Sequence, residues 1–392
     1  MRGLPAGAVS WVEIDLDALR RNLGAFRSRL GRGTRLAAVV KANAYGHGVE
    51  LVAPAALEAG ADVLAVINLA EGVALRRLVG RDVPIVVLGR VPPGDCPPAV
   101  EAGLELTLYD RAAAEALAVA ARRLGRVARV HLKVETGTHR QGLAGEALLD
   151  LARHVAGRES LRLAGISTHF ADIEDTTDHD FARRQLETFL SCSEQVRALH
   201  PSSTPLRHVA CSAAAILFPE THLDMARVGI ALYGLWPSRE TLVSARERSL
   251  ADFQLEPVLS WKAAIAQVKV VPRGAWVGYG RSWRAGRESR IAVVPVGYYE
   301  GYDRSLSGRA HVLCHGSRAP VVGRVCMNMF MIDVTDAGPV QAGDEVVLIG
   351  ASGGERIRAE DLAGWAGTIH YEIVSRIHPS LPRIAVSRDR SA

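Results

Sequence analysis

The sequence predicts an α/β protein: an N-terminal (β/α)8 barrel of the TIM type over residues 11–248, then a mostly-β domain over residues 249–392 that also takes in residues 1–10. Two observations predict it. From about residue 11 to 230, short apolar runs alternate with Ala/Leu/Arg-rich stretches of helical period, and past residue 248 that rhythm gives way to β-branched runs punctuated by glycine. A third observation is chemical. Only four of the 47 basic residues are lysine: Lys41, Lys133, Lys262 and Lys269. Arginine does most of what a surface lysine does, but it cannot form an imine with an aldehyde or act as a neutral amine near pH 7. Each retained lysine is therefore a candidate for amine chemistry.

The apolar runs of the first domain cover residues 36–40, 63–67, 85–88, 104–108, 130–134, 163–168, 206–210 and 225–228. The stretches between them carry helical spacing; over residues 112–124, Ala113, Leu117, Ala120 and Leu124 share one face. Eight strand-like runs separated by helices favour a barrel over an open doubly wound sheet, and no GxGxxG follows an early strand. In the second domain the runs cover residues 263–271, 291–296, 321–325, 329–334 and 345–349, with a short helix expected over 359–366.

Composition narrows the function classes. A chain of 392 residues is long for one core, and 48% hydrophobic with 23% charged residues is an ordinary globular balance. The net charge of +5 comes from arginines spread along the chain, without a basic block interleaved with aromatics, so no nucleic-acid partner is expected. The five cysteines are widely spaced and form no CxxC pair, which reads as reduced thiols in a cytoplasmic protein. The first ten residues do not read as a secretory signal, and no apolar run reaches the ~18 residues of a membrane span. Neither a GxxxxGK[ST] loop nor an HExxH pair is present, and no metal site is expected.

In a (β/α)8 barrel, chemistry sits at the C-terminal ends of the strands. Lys41 ends the first run, Arg140 follows the fifth, His169 ends the sixth, Ser212 follows the seventh, and Arg227 lies in the eighth, just before Gly229 and Ile230. Taken singly, His169 also reads as a structural histidine, Arg227 as the ion-pair partner of Asp224, and Gly229 as a turn. Their convergence on one mouth is the argument. A serine hydroxyl with backbone N–H groups near Gly229 suits a phosphate dianion. Together with an imine-forming lysine, that points to pyridoxal 5′-phosphate, an aldehyde with a phosphate arm.

The chain resembles the fold-type III pyridoxal-phosphate enzymes, and within them the alanine racemase family. The resemblance rests on residues 11–22, the lysine segment 38–48, the segment 130–142, and residues 165–170, 218–234, 277–281, 297–304, 323–333 and 371–372, in the family's order. It implies that Lys41 is the Schiff-base lysine and the base for the D-enantiomer, with Tyr279 the opposing base for the L-enantiomer. Tyr45, Ser212, Gly229, Ile230 and Tyr371 would hold the phosphate. His169 would pack on the cofactor ring and Arg227 contact its pyridine nitrogen. Arg140 and the Met327 N–H would bind the carboxylate of a small amino-acid substrate, and Tyr298 would narrow the entrance. Lys133 resembles a lysine that is carbamylated in the family, where the new anion orients the arginine matching Arg140. The family's second base comes from the neighbouring subunit, which implies a homodimer whose β domain caps the partner's barrel, and D-alanine for peptidoglycan as the product.

Five positions depart from the family pattern: Asn328 for aspartate, Cys211 for asparagine, Tyr299-Glu300 for Ala-Asp, and Thr138 for methionine. Asn328 and Tyr299 motivate an alternative, racemisation of serine or another small amino acid. A non-catalytic pyridoxal-phosphate carrier is a further alternative, opposed by Tyr279, since a carrier has no need of a second base; amino-acid decarboxylation is weaker still.

Overall fold

The computed structural model describes residues 5–250 and 252–387. The chain divides into two compact units. One comprises residues 18–44 and 52–256, and the other, within the described residues, 5–17, 45–51 and 257–387.

The chain begins in the second unit, with strand β1 (Ser10–Asp15). The first unit then supplies β2 (Arg35–Val39), β3 (Val63–Val66), β4 (Ile85–Val87), β5 (Glu105–Leu108), β6 (Ala128–Lys133), β7 (Leu161–Ser167), β8 (Leu206–His208) and β9 (Met225–Val228). All eight lie in one parallel sheet in the order β9-β2-β3-β4-β5-β6-β7-β8. The seam between β8 and β9 is drawn together by single bonds: Asp224 N–H to the Arg207 carbonyl at 3.1 Å, and Arg227 N–H to the Ala210 carbonyl at 3.0 Å. This nearly closed ring is the expected barrel, not an open sheet. Helices follow the strands, several with side-chain caps: Asn68 accepts from Glu71 N–H, and Asp110 from Ala113 N–H. Helix Arg111–Arg123 buries Ala113, Leu117 and Ala120 as its spacing predicts, but stops one residue short of Leu124, which is left partly exposed.

The second unit continues with β10 (Leu259–Ala264), β11 (Gln267–Val271), β12 (Trp276–Val277), β13 (Trp283–Arg284), β14 (Ser289–Val294), β15 (His311–Cys314), β16 (Ser317–Val322), β17 (Phe330–Asp333), β18 (Glu345–Ser352), β19 (Glu355–Ile357) and β20 (Arg383–Val386). The main sheet runs β11-β14-β17-β16-β15-β18-β10-β1-β20. The expected helix is present at Ala359–Ala366.

Two boundaries differ from the sequence reading. Residues 11–15 belong with the β unit, because β1 pairs antiparallel with β10 and parallel with β20. The run 263–271 is two strands, since β10 and β11 pair with different partners. A local apolar pattern marks a strand but not the ladder it joins.

Buried Asn22 ties helix Leu16–Arg29 to two later segments. Its amide donates to the carbonyls of Leu232 at 3.0 Å and Glu256 at 2.8 Å, and its oxygen accepts from Glu256 N–H at 2.8 Å. Asn22→Ala removes the partner of one buried and two half-buried backbone groups and is expected to cost about 2–3 kcal/mol of stability, read as a lowered urea midpoint.

Candidate active site

Lys41 stands immediately beyond β2, where the backbone does something unusual. Ala42, Asn43, Ala44 and Tyr45 all have φ between 53° and 55°, forming a left-handed turn without a glycine. The Glu71 carboxylate braces it, accepting from Ala42 N–H at 2.8 Å and from Ile67 N–H at 2.9 Å. Burial lowers the Lys41 amine below the usual lysine range; Arg140 adds to this and Glu71 opposes it.

The barrel brings the other predicted cationic groups into the same field. Lys133, at the end of β6, is driven well below its ordinary value by burial, then by Arg227 and Arg140. His169 is likewise held well below its ordinary value, by burial first and then by Lys133, Arg227, Arg140 and Lys41. Five residues from four segments distant in sequence thus meet electrostatically. Thr138, the departure beside Arg140, donates its hydroxyl to the His169 carbonyl at 2.7 Å and so joins two of these segments.

Arg227 is buried, and its two terminal nitrogens are fully engaged. Nη1 donates to the His208 Nδ1 at 2.7 Å and to the His208 carbonyl at 2.8 Å; Nη2 donates to the carbonyls of Thr168 at 2.8 Å and Val209 at 3.2 Å. Burial lowers it to about 10, so it stays cationic at neutral pH. Asp224 is not its partner; that carboxylate pairs with Arg207 at 3.3 Å. Beyond His208 the contacts continue: His208 Nε2 lies 2.8 Å from His131 Nδ1, and His131 Nε2 lies 2.7 Å from the Glu105 carboxylate. Burial alone would raise Glu105, but hydrogen bonds from His131 and Arg129, with the Arg129 charge, outweigh it and hold the carboxyl at about 2. Sequence reading missed Glu105, His131 and His208. The available signal was a charged or polar residue at an inner position of each of three strand runs, beside Thr107, Lys133 and Arg207.

Ser212 opens helix Ser212–Leu217, and its Oγ accepts from Gly229 N–H at 3.0 Å and Ala231 N–H at 3.5 Å. The starts of this helix and of the 3-10 helix Ile230–Tyr233 are therefore neighbours. Cys211, just before Ser212, is raised to about 11, by burial first and then by Glu174, so it is a neutral thiol at physiological pH.

In the β unit, Tyr45 and Tyr371 are neighbours, with ring centroids 6.3 Å apart. Tyr279 is 71% exposed and sits between two left-handed glycines, Gly278 at φ 78° and Gly280 at φ 69°. A Cβ at Gly278 would come within 2.8 Å of the Met331 methyl, and one at Gly280 within 3.0 Å of the Arg324 guanidinium, so the turn presenting the phenol depends on both. Met327 and Tyr298 are also exposed, and Tyr298 lines a cavity of about 400 Å³ with Gly301, Asp303, Arg304 and Arg376. Two departures prove to be one feature: the Asn328 amide donates to Glu300 at 2.8 Å, and the other Glu300 oxygen accepts from Gly297 N–H at 2.8 Å. The Tyr299 ring stacks on His378 at 4.7 Å.

Comparison with known proteins follows the same division. The alanine racemase N-terminal domain matches residues 14–237 and the alanine racemase C-terminal domain residues 258–385. An alanine racemase of Symbiobacterium thermophilum is 44% identical over 376 residues, covering 95% of this chain and 96% of that protein. Among solved structures, alanine racemase from Streptomyces lavendulae superposes with a TM-score of 0.90 at 35% identity, covering 98% of each chain. Alanine racemase from Bartonella henselae, with covalently bound pyridoxal phosphate, superposes with a TM-score of 0.84 at 27% identity, covering 97% of this chain and all of that one. The donor set here fits such a group: a depressed amine for the aldehyde, a buried guanidinium whose Nε–H remains for a ring nitrogen, and two adjoining helix starts for a phosphate.

Because the Glu105 carboxyl is lower in the folded protein than its ordinary value of 4.5, it stabilises the fold above about pH 4.5, and that contribution is lost as pH falls toward 2. Glu105→Gln is expected to lower stability at pH 7 and to flatten the loss between pH 4.5 and 2, measured by denaturant unfolding across that range.

Proposed function

The chain belongs to the alanine racemase family and is a pyridoxal-phosphate-dependent amino-acid racemase, and from that premise we propose how its residues divide the interconversion of L- and D-alanine. The observation that carries the assignment is the convergence of Lys41, Lys133, Arg140, His169 and Arg227 at one end of the barrel, where Arg140 lowers the proton affinity of Lys41, and Arg140 and Arg227 lower that of Lys133 and His169. Pyridoxal phosphate, when bound, accepts the electron pair left on the α-carbon as its proton departs.

Lys41 anchors the cofactor and moves the proton on one face of the α-carbon, for which a depressed amine is suited. Tyr279 of the partner subunit serves the other face. Ser212, Gly229, Ile230, Tyr45 and Tyr371 hold the phosphate, and His169 packs against the ring. Arg227 donates its remaining N–H to the ring nitrogen. Since arginine only donates, that nitrogen stays unprotonated, which restrains side reactions such as transamination. Arg140 and the Met327 N–H take the substrate carboxylate, and Tyr298 narrows the approach.

Lys133 is the carbamate carrier. Burial and the neighbouring cations shift it toward the neutral amine, which can add to carbon dioxide with release of one proton to solvent, and Arg227 and Arg140 would stabilise the anion that results. Within the β unit, Tyr299 is engaged by His378 and Asn328 by Glu300, so neither residue speaks for a substrate larger than alanine. We place the enzyme in the cytoplasm, where the cysteines stay reduced, as a homodimer with composite sites that supplies D-alanine for peptidoglycan.

Purified protein with cofactor is expected to form D-alanine from L-alanine; no turnover at saturating cofactor would sink the assignment. Lys41→Arg is expected to lose the visible absorbance of bound cofactor, and Tyr279→Phe to keep it while losing racemisation. Mixing the two inactive variants tests the composite site. If Tyr279 acts across the dimer, half the dimers are mixed and each holds one intact site, so about a quarter of wild-type activity returns. If it acts within its own chain, none does.

A further inference from the structure

The contacts behind Arg227 have a direction. Arginine has no acceptor, so the His208 Nδ1 facing it must carry a lone pair. The proton of that ring is then on Nε2 and is donated to His131 Nδ1, which places the His131 proton on Nε2, aimed at Glu105. One donor and one anion at the two ends thus determine both tautomers between them. All three side chains are sealed from solvent: His131 is 0% exposed, His208 1% and Glu105 5%.

The backbone is shaped around this chain. The register of β6 against β7 slips between Val130 and His131, and the residue opposite His131 is Gly165. A Cβ there would lie 2.1 Å from His131 Nδ1, the atom that accepts from His208. A bulge and a glycine are both committed to seating one imidazole.

We propose that His131 and Glu105 are positioning residues for racemisation, forming with His208 a one-way hydrogen-bond relay that fixes how Arg227 presents its Nε–H to the cofactor ring. The proposal rests on Arg227 facing that ring. The Glu105 charge polarises each bond in the relay, makes His208 Nδ1 a stronger acceptor, and draws Arg227 proton density away from the ring nitrogen.

The test uses holoenzyme loaded with cofactor labelled with 15N at the ring nitrogen, and separately with 15N-histidine. In the wild type, His208 and His131 are expected to carry their protons on Nε2. In Glu105→Gln, His131→Phe and Gly165→Ala, the ring-nitrogen signal is expected to move toward the protonated-pyridine value. The kcat for alanine should fall about tenfold, with KM within about twofold and more transamination per turnover, in line with the loss of partners that orient catalytic groups. Glu105→Gln preserves an acceptor for His131 and carries the test if the bulkier variants do not fold. A His208 proton on Nδ1 in the wild type overturns the relay. So does an unchanged ring signal and kcat in the folded variants while Arg227→Lys shifts the ring signal. If Arg227→Lys also leaves it unmoved, the ring-facing reading of Arg227 fails first and takes the relay with it.

Discussion

The site is governed by the mutual repulsion of basic groups at one end of a barrel. Lys41, Lys133, Arg140, Arg227 and His169 share a field that one nearby carboxylate, Glu71, opposes at Lys41 and another, Glu135, at Lys133. Such an arrangement is unfavourable alone and favourable toward anions, and the family's chemistry offers three: a cofactor phosphate, a substrate carboxylate and a carbamate. The repulsion also adds to burial in lowering the proton affinity of two lysines, the direction an amine needs in order to react. Burial is the larger cause at both, so the barrel's dryness and its charge act in the same direction.

Much of this was legible in the sequence. Eight apolar runs became eight barrel strands, and lysine scarcity led to Lys41 and Lys133. What escaped was whatever depends on pairing across long separations. Nothing local in residues 10–15 tells that β1 joins β10 and β20 instead of the barrel. His131 and His208 stand 77 positions apart, and each looks like an incidental polar residue until the barrel closes. Gly165 was visible as a glycine within a strand-like run, but its reason, the imidazole it accommodates, lies on the neighbouring strand. Asn328 and Glu300 likewise looked like separate departures, whereas their hydrogen bond makes them one exchange, an amide facing a carboxylate.

The remaining lysines complete the contrast. Lys262 sits between Glu13 at 3.0 Å and Glu345 at 3.1 Å, where its charge is neutralised on three adjacent strands, and Lys269 lies on β11, whose residues are largely exposed or half-exposed. Neither position asks for amine chemistry. Scarcity of a residue type therefore points to sites without certifying them; the surroundings separate a reactive amine from a structural cation.

The left-handed turn after Lys41 has a consequence for heat. Four successive residues with side chains in this conformation cost on the order of 4–8 kcal/mol, a sizeable share of what holds an ordinary domain together. The surrounding fold, with Glu71 at the front edge, helps keep the turn wound, as does the local bond from Ala44 N–H to the Val40 carbonyl at 2.9 Å. On warming, this segment relieves strain by letting go, and the Lys41 amine would lose its aim while the strands beneath remain paired. Thermal inactivation would then begin as a local event at Lys41, the proposed cofactor anchor, with melting of the barrel following at a higher temperature.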